Sequence, residues 1–290
     1  MNFNENQALA KIVRETAESL RFNIFEIGAM PVENSSEPFH NLLDFFPGSN
    51  IYAFEVDEEV CGELDKKAKP GMKYYPAALG RTVEKRSFYE TNHPVCASLY
   101  KPNDKLNSMY NKMEFAYLKS VRSIQTVNLD VFTKENKIST VDFIKIDIQG
   151  AELDVFQGGS ATLENTVAIV SEVEFIPIYE RQPLFGDICA YLSDSGFIFH
   201  KFLGIVGRTL KPIILNNNPG FATQHMWADA LFIKDIAQLN NLSSDQLLKM
   251  GIMAFIYDSV DIAIFCFSEY DRRNGKGMTQ KLLSLCNVTS

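Results

Sequence analysis

The sequence has little from which a disulfide framework, a zinc site or a nucleic-acid surface could be built. Its five cysteines, Cys61, Cys96, Cys189, Cys266 and Cys286, are odd in number, widely spaced and never arranged as C-x-x-C, so they read as reduced thiols, mostly in the core. Lys and Arg total 28 against 36 Asp and Glu, for a formal charge of −8. Without a basic stripe, the electrostatic footprint of a nucleic-acid partner is missing. No apolar run is long enough to span a bilayer. The one tempting segment, "GIMAFIYDSVDIAIFCF", is interrupted by Asp258 and Asp261 and falls short of the roughly 20 residues a span needs, so a buried helix is expected there. The N-terminus has neither a basic start nor an apolar signal core, and a soluble, cytoplasmic chain is expected. Also missing are a G-x-G-x-x-G after the first strand and a G-x-x-x-x-G-K-[ST] anywhere. Those are the usual backbone cradles for pyrophosphate and triphosphate, and NAD and ATP become poor candidates.

What is present is enough apolar material for a large core: 290 residues, 46% apolar and 12% aromatic. Leu9, Ile12, Val13, Thr16, Ala17 and Leu20 fall at helical spacing and predict an N-terminal helix within residues 1–21. From residue 22 short apolar runs alternate with helical patterns, the signature of an α/β fold with a mostly parallel sheet. Strands are expected at "FNIFEIG", "IYAFEV", "KYYPAAL", "RSFYET", "VDFIKID", "VAIVSEVEF", "FIFHKFL" and "DALFIKD", with "VRSIQTVNL" as an added edge strand. Ser36 is a candidate cap before a helix carrying Phe39, Leu42, Leu43 and Phe46, and Asp57 caps the next helix. A loop of more than twenty residues before "DALFIKD", spanning Gly204 to Trp227, reads as a lid or acceptor-binding loop. Residues 22–236 form the main domain, and 237–290 a helical extension packed on it.

The acids lie at strand ends: Glu26 on strand one, Glu55 on strand two, Asp147 on strand four, Glu172 and Glu174 on strand five. Ligands of open parallel sheets bind outside the carboxyl ends of the strands, where strand order reverses. Side chains alternate along a strand, so Lys145 shares a face with Asp147, and Glu172 with Glu174. A buried charge must be paired, and Glu172 is the expected partner of Lys145. "EIGAMP" supplies a strand-end acid and one glycine for close backbone approach, and Glu55 can accept from a ribose diol. A nucleoside without phosphates fits, S-adenosylmethionine being the common one. Asp147 is the first candidate for a general base, with Glu172, Glu174 and the loop residue His93 behind it and Lys145 as either a structural pair or a direct participant. Trp227, Phe221 and Tyr100 are candidates for stacking on a sugar face. His40 and His225 show no partner, and His200 reads as a core hydrogen-bonder.

"VDFIKIDIQGAELDVFQGG", together with "SEVEFIPIYERQPLFGDI", "GFIFHKFLGIVGRTLKP", "WADALFIKD" and "SLYKPN", resembles the FkbM-type S-adenosylmethionine-dependent methyltransferases over nearly the whole chain. The resemblance implies a seven-stranded class I methyltransferase (Rossmann-like) sheet with an antiparallel last strand. It places Glu26, Gly28, Ala29 and Met30 in the first cofactor motif, and Glu55, followed by Val56, at the ribose. Ala77, Ala78 and Leu79 then fall at the adenine, and Asp147 faces the transferred methyl. It further implies O-methylation of a hydroxyl on a sugar, glycan or natural product. The carboxylates cluster, but no His or Asn ligand pattern accompanies them, and no metal is expected to be required. The chain departs from the family form G-A-N-x-G at Met30, Pro31 and Val32, and from a common proline at Val56. A scaffold that has lost catalysis and serves as an interaction module is the alternative.

Overall fold

A computed structural model describes residues 3–30, 37–218 and 221–286. Ser36, Pro31 and Val32 lie outside them. In chain order the strands are β1 (Asn23–Ile27), β2 (Asn50–Glu55), β3 (Met72–Pro76), β4 (Ala78–Leu79), β5 (Lys85–Thr91), β6 (Leu118–Val127), β7 (Phe143–Ile146), β8 (Ala168–Glu174), β9 (Phe197–Arg208) and β10 (Gln224–Lys234). The helices are α1 (Phe3–Arg14), α2 (Leu42–Phe45), α3 (Glu58–Asp65), α4 (Asp104–Asn107), α5 (Leu129–Glu135), α6 (Glu152–Gln157), α7 (Ser160–Asn165), α8 (Phe185–Asp194), α9 (Ser244–Ile256), α10 (Val260–Asn274) and α11 (Met278–Cys286).

Seven strands make one sheet in the order β3-β2-β1-β7-β8-β10-β9. β10 runs antiparallel to both neighbours and the other pairings are parallel. The class I methyltransferase arrangement expected from the sequence is therefore present. Strand order reverses between β1 and β7, which places the switch-point crevice over Gly28 and Asp147.

Register explains how one sheet carries both a core and a polar floor. Glu26 pairs with Lys145 and Lys145 with Val170, while Asp229 lies across from Glu172 and Trp227 across from Glu174. Registered partners share a face. On that face Ile24, Ile51, Phe143, Ala168 and Val170 are buried against α1 and against Met253, Phe255 and Phe267 of α9 and α10. Toward the carboxyl ends the same face turns acidic. The opposite face packs Phe25, Phe54, Ile144 and Ile169 against Phe132 of α5, Phe156 of α6 and Ile188 of α8.

Several expected elements take a different form. "KYYPAAL" divides into β3 and β4 after Pro76, and β4 joins β5 and β6 in a separate three-stranded sheet, β4-β6-β5. "VRSIQTVNL" therefore adds no edge to the main sheet. The helix after β7 is two short ones, α6 and α7, joined at Gly158-Gly159, where a Cβ on Gly158 would meet the Gly80 carbonyl oxygen at 2.6 Å and that of Arg81 at 2.8 Å. "GIMAFIYDSVDIAIFCF" is broken between α9 and α10, with Asp258 at φ 55°. Among the described residues no helix is long and apolar enough to cross a membrane. The expected lid is shorter than its sequence suggested: 204–208 and 224–227 belong to the β9–β10 hairpin, and Met226 is fully buried. Asp57 caps α3 as expected, accepting from the backbone N–H groups of Glu59 and Val60.

Candidate active site

A cleft of about 580 Å³ opens over the carboxyl ends of β1, β2, β7 and β8, walled by the small sheet and by residues 93–97 and 113–116. Its volume falls within the roughly 300–1,000 Å³ of small-molecule sites. On the β2 side it is lined by Gly28, Met30, Glu55 and Val56, with Ala77, Ala78 and Leu79 following from the β3–β4 segment. On the β8 side stand Asp147, Glu172, Glu174 and Trp227, and His93 reaches the rim. Eleven of the fourteen residues named from sequence as catalytic or cofactor-binding therefore line one cavity.

Glu26, Ala29 and Lys145 do not line it. Glu26 is buried and bonded to His40, whose Nε2 lies 2.8 Å from its Oε2, so His40 has a partner that the sequence did not reveal. The N–H groups of Gly28 and Ala29 both donate to the Phe54 carbonyl, at 3.2 and 3.0 Å. Gly28 does serve a close backbone approach. With φ at +81°, a Cβ there would sit 1.9 Å from the carbonyl oxygen of Asp147, so glycine lets the ends of β1 and β7 converge.

Lys145 is held by Asp229, not by Glu172. Its Nζ donates to Asp229 Oδ1 at 2.9 Å and lies 4.0 Å from Asp147 Oδ2. Burial disfavours the ammonium, but the Asp147 and Asp229 carboxylates outweigh it and raise the Lys145 pKa. Glu172 instead accepts from Gln149 Nε2 at 2.6 Å, and the same amide donates to Asp147 Oδ1 at 2.7 Å. Gln149 is itself anchored. The Tyr179 hydroxyl lies 2.9 Å from its Oε1, and Ser98 donates to its carbonyl at 2.6 Å. At φ 61° it occupies the left-handed region, which a non-glycine residue holds only when its surroundings enforce it. Asp229, Gln149 and Tyr179 were missed by the sequence reading, although all three lie inside quoted segments.

Burial pushes the carboxyls behind Asp147 toward the neutral form. Glu152 is raised to about 7 by its burial. Burial also raises Glu172 and Glu174 well above the usual carboxyl range, with the Asp147 and Glu174 charges adding to it for Glu172 and those of Glu152 and Asp147 for Glu174. Glu55 is buried and likewise raised by burial; its Oε1 accepts from the Asp57 N–H at 3.0 Å. His200 bonds to Ser259 Oγ at 2.7 Å, in keeping with its expected role, while His225 lies 6.4 Å from the Phe175 ring. Of the stacking candidates only Trp227 lines the cleft; Tyr100 donates to Asp154 Oδ2 at 3.2 Å. Among the described residues no cluster of three or more His, Cys, Asp or Glu could hold a metal ion.

Residues 26–199, more than half of the chain and running from the carboxyl end of β1 through β8, match the methyltransferase FkbM domain. The chain belongs to the FkbM methyltransferase family. S-adenosylmethionine is accordingly its cofactor. This FkbM methyltransferase is 25% identical over 164 residues to the 2-O-methyltransferase NoeI of Sinorhizobium fredii (strain NBRC 101917 / NGR234), a match that covers 55% of this chain and 66% of that protein. It is similar at greater distance to two solved structures. One is the LepI complex with SAM, at 8% identity, 78% of this chain, 46% of that one and a TM-score of 0.32. The other is the 23S rRNA methyltransferase ErmE, at 13% identity, 87% of this chain, 76% of that one and a TM-score of 0.32. Likenesses that distant carry no argument, and the strand order of the FkbM methyltransferase is its own evidence of fold. The cleft suits the cofactor chemically: a carboxyl with one oxygen not engaged by Asp57 on the β2 side, apolar Ala77, Ala78 and Leu79 beside it, and acids at the far end.

Proposed function

We propose that this FkbM methyltransferase O-methylates a hydroxyl of a sugar, glycan or natural product, with Asp147 as the base. The cofactor supplies an electrophilic methyl group when bound. In this reading Glu55 accepts from the ribose hydroxyls, Ala77, Ala78 and Leu79 flank the adenine, and Gly28 and Met30 border the cofactor between them. The β8 side takes the acceptor, with Trp227 offering a flat apolar wall. Residues 22–236 carry the transfer, and the described residues of the 237–290 extension, α9 to α11, support the sheet from behind.

The observation that carries the assignment of roles is the contrast among the carboxyls. Asp147 stands beside Lys145 with its Oδ1 fixed by Gln149 and its side chain 40% exposed, so it can take a proton from a hydroxyl in the cleft. Glu172 and Glu174 are held toward neutrality and serve poorly as bases. Lys145, absent from the cleft lining, acts in this reading by pairing. The family relative's 2-O-methyltransferase activity supports oxygen as the accepting atom, and an open cleft favours an enzyme over an interaction module. The test is incubation of the chain with methyl-labelled S-adenosylmethionine and a panel of hydroxylated sugars and small molecules, read by mass spectrometry. Asp147→Asn should keep cofactor binding and lose about 10²–10⁴-fold in transfer rate, the usual contribution of a general base. Undiminished transfer in that variant removes Asp147 from the role.

A further inference from the structure

The floor of the cleft holds more negative groups than its cations can answer. Around Glu172 and Glu174 stand Lys145 from β7, Asp147 just past its end, Gln149 from the turn that follows, Glu152 from α6, Tyr179 and Gln182 from the segment after β8, and Trp227 and Asp229 from β10. His93 and Cys96 face the cleft from its rim. Lys145 is committed to Asp229 and Asp147. Arg208 lies over the Trp227 ring, 5.2 Å from its centre, and donates to the Gly207 carbonyl. Glu174 lines the cleft, is 1% exposed, and its Oε2 has no hydrogen-bond partner. A buried oxygen left unsatisfied is costly unless something that enters the site answers it.

We propose that Glu172 and Glu174 distinguish the sulfonium cofactor from its thioether product by charge, giving up a proton to solvent when the positive sulfur enters and regaining one when the neutral product is left. This rests on the cofactor assignment above and goes beyond it, because it assigns work to two carboxyls that the transfer itself does not use. Of the five acids around this one committed lysine, Glu152, Glu172 and Glu174 are the ones burial disfavours as anions, and they cannot all ionise together; protonation is the alternative when the cleft holds no cation. A positive charge within about 4–6 Å favours the ionised form, typically by 1–3 pK units. S-adenosylmethionine and S-adenosylhomocysteine share adenine, ribose and the methionyl ammonium. Any difference in their proton linkage therefore reports the charge on sulfur. Where the carboxyl is protonated with product and ionised with cofactor, the cofactor gains affinity as pH rises and the product does not.

Isothermal titration of the full chain with each compound, in phosphate and in Tris at matched pH, counts the protons released. S-adenosylmethionine should release more than S-adenosylhomocysteine at pH 7, and the ratio of product Kd to cofactor Kd should rise about tenfold from pH 6 to pH 8, as one pK unit of coupling gives. Sinefungin, which carries an ammonium in place of the methylated sulfur, should behave like the cofactor. This arm needs no variant. Glu174→Gln and Glu172→Gln should each shrink the difference and leave product Kd within about twofold. Equal proton release by all three compounds with a flat ratio overturns the proposal and leaves the cofactor assignment standing; a folded chain that binds none of them overturns both.

Discussion

Two lysine–aspartate pairs sit at opposite ends of β7 and are built to nearly the same length. At the amino end Lys249 of α9 donates to Asp142 at 2.8 Å, and the second oxygen of Asp142 accepts from the Asn23 N–H at 2.8 Å. Both side chains are covered, 13% and 5% exposed, and every oxygen of the carboxylate is used. At the carboxyl end Lys145 is 9% exposed, but its partners Asp229 and Asp147 are 45% and 40% exposed, and the carboxyls behind them exceed the available cations. One pair closes a joint between a helix and the sheet; the other leaves charge facing a cavity. The chemistry of the pair is the same, and the solvent access of the acid decides what it does.

The largest effect should come from the closed pair. Lys249→Met leaves a buried, unpaired Asp142 and should cost about 3–5 kcal/mol at neutral pH, read by urea denaturation, with cofactor binding unchanged once folded. Asp229→Asn weakens the open pair from its exposed side. Solvent already screens that carboxylate, so the loss should be about 1–2 kcal/mol. Lys145→Met strands no buried carboxylate, and its loss should stay within about 1 kcal/mol; a melt as damaged as that of Lys249→Met would erase the distinction between the two pairs. The smallest effect concerns pH. An acid whose folded pKa lies above its unfolded value binds more protons when folded, so its contribution is most favourable below about pH 4.3 and is lost as pH rises toward the folded pKa. For Glu152 that window runs up to about 7. Glu174 is raised in the same direction, so Glu174→Gln should raise Tm relative to wild type at pH 8 and not at pH 4. A rise of about 2–4 °C corresponds to roughly 1 kcal/mol in a large domain.

The strand ends and their acids were legible because period-two alternation and bounded apolar runs reflect forces that act along one strand. Which strand lies beside which is a different matter. Lys145 could be expected to need a carboxylate, but Asp229 is 84 residues away on an antiparallel strand, and alternation within β7 does not say that β10 approaches it. The separate small sheet was hidden for a related reason: "RSFYET" and "VRSIQTVNL" carry strand propensity that fits any edge, and the break at Pro76 that sends β4 away from β3 is tertiary. The inner halves of β9 and β10 read as a loop because glycines, asparagines and prolines lie along 204–227, yet Met226 is buried where β10 returns to the sheet. Gln149 went unassigned because its amide is defined only by what it bridges.

The glycine at 158 sets a dimension of the molecule. It leaves the carbonyls of Gly80 and Arg81 room to lie against the end of α6, and Gly80 directly follows β4, the strand that ties the small sheet to the rest of the chain. The small sheet forms one wall of the cleft and the main sheet its floor. The gap between them is thus gauged at a point that touches no ligand, and a single methyl group added there would act as a shim, forcing the wall outward and changing which molecules the cleft admits.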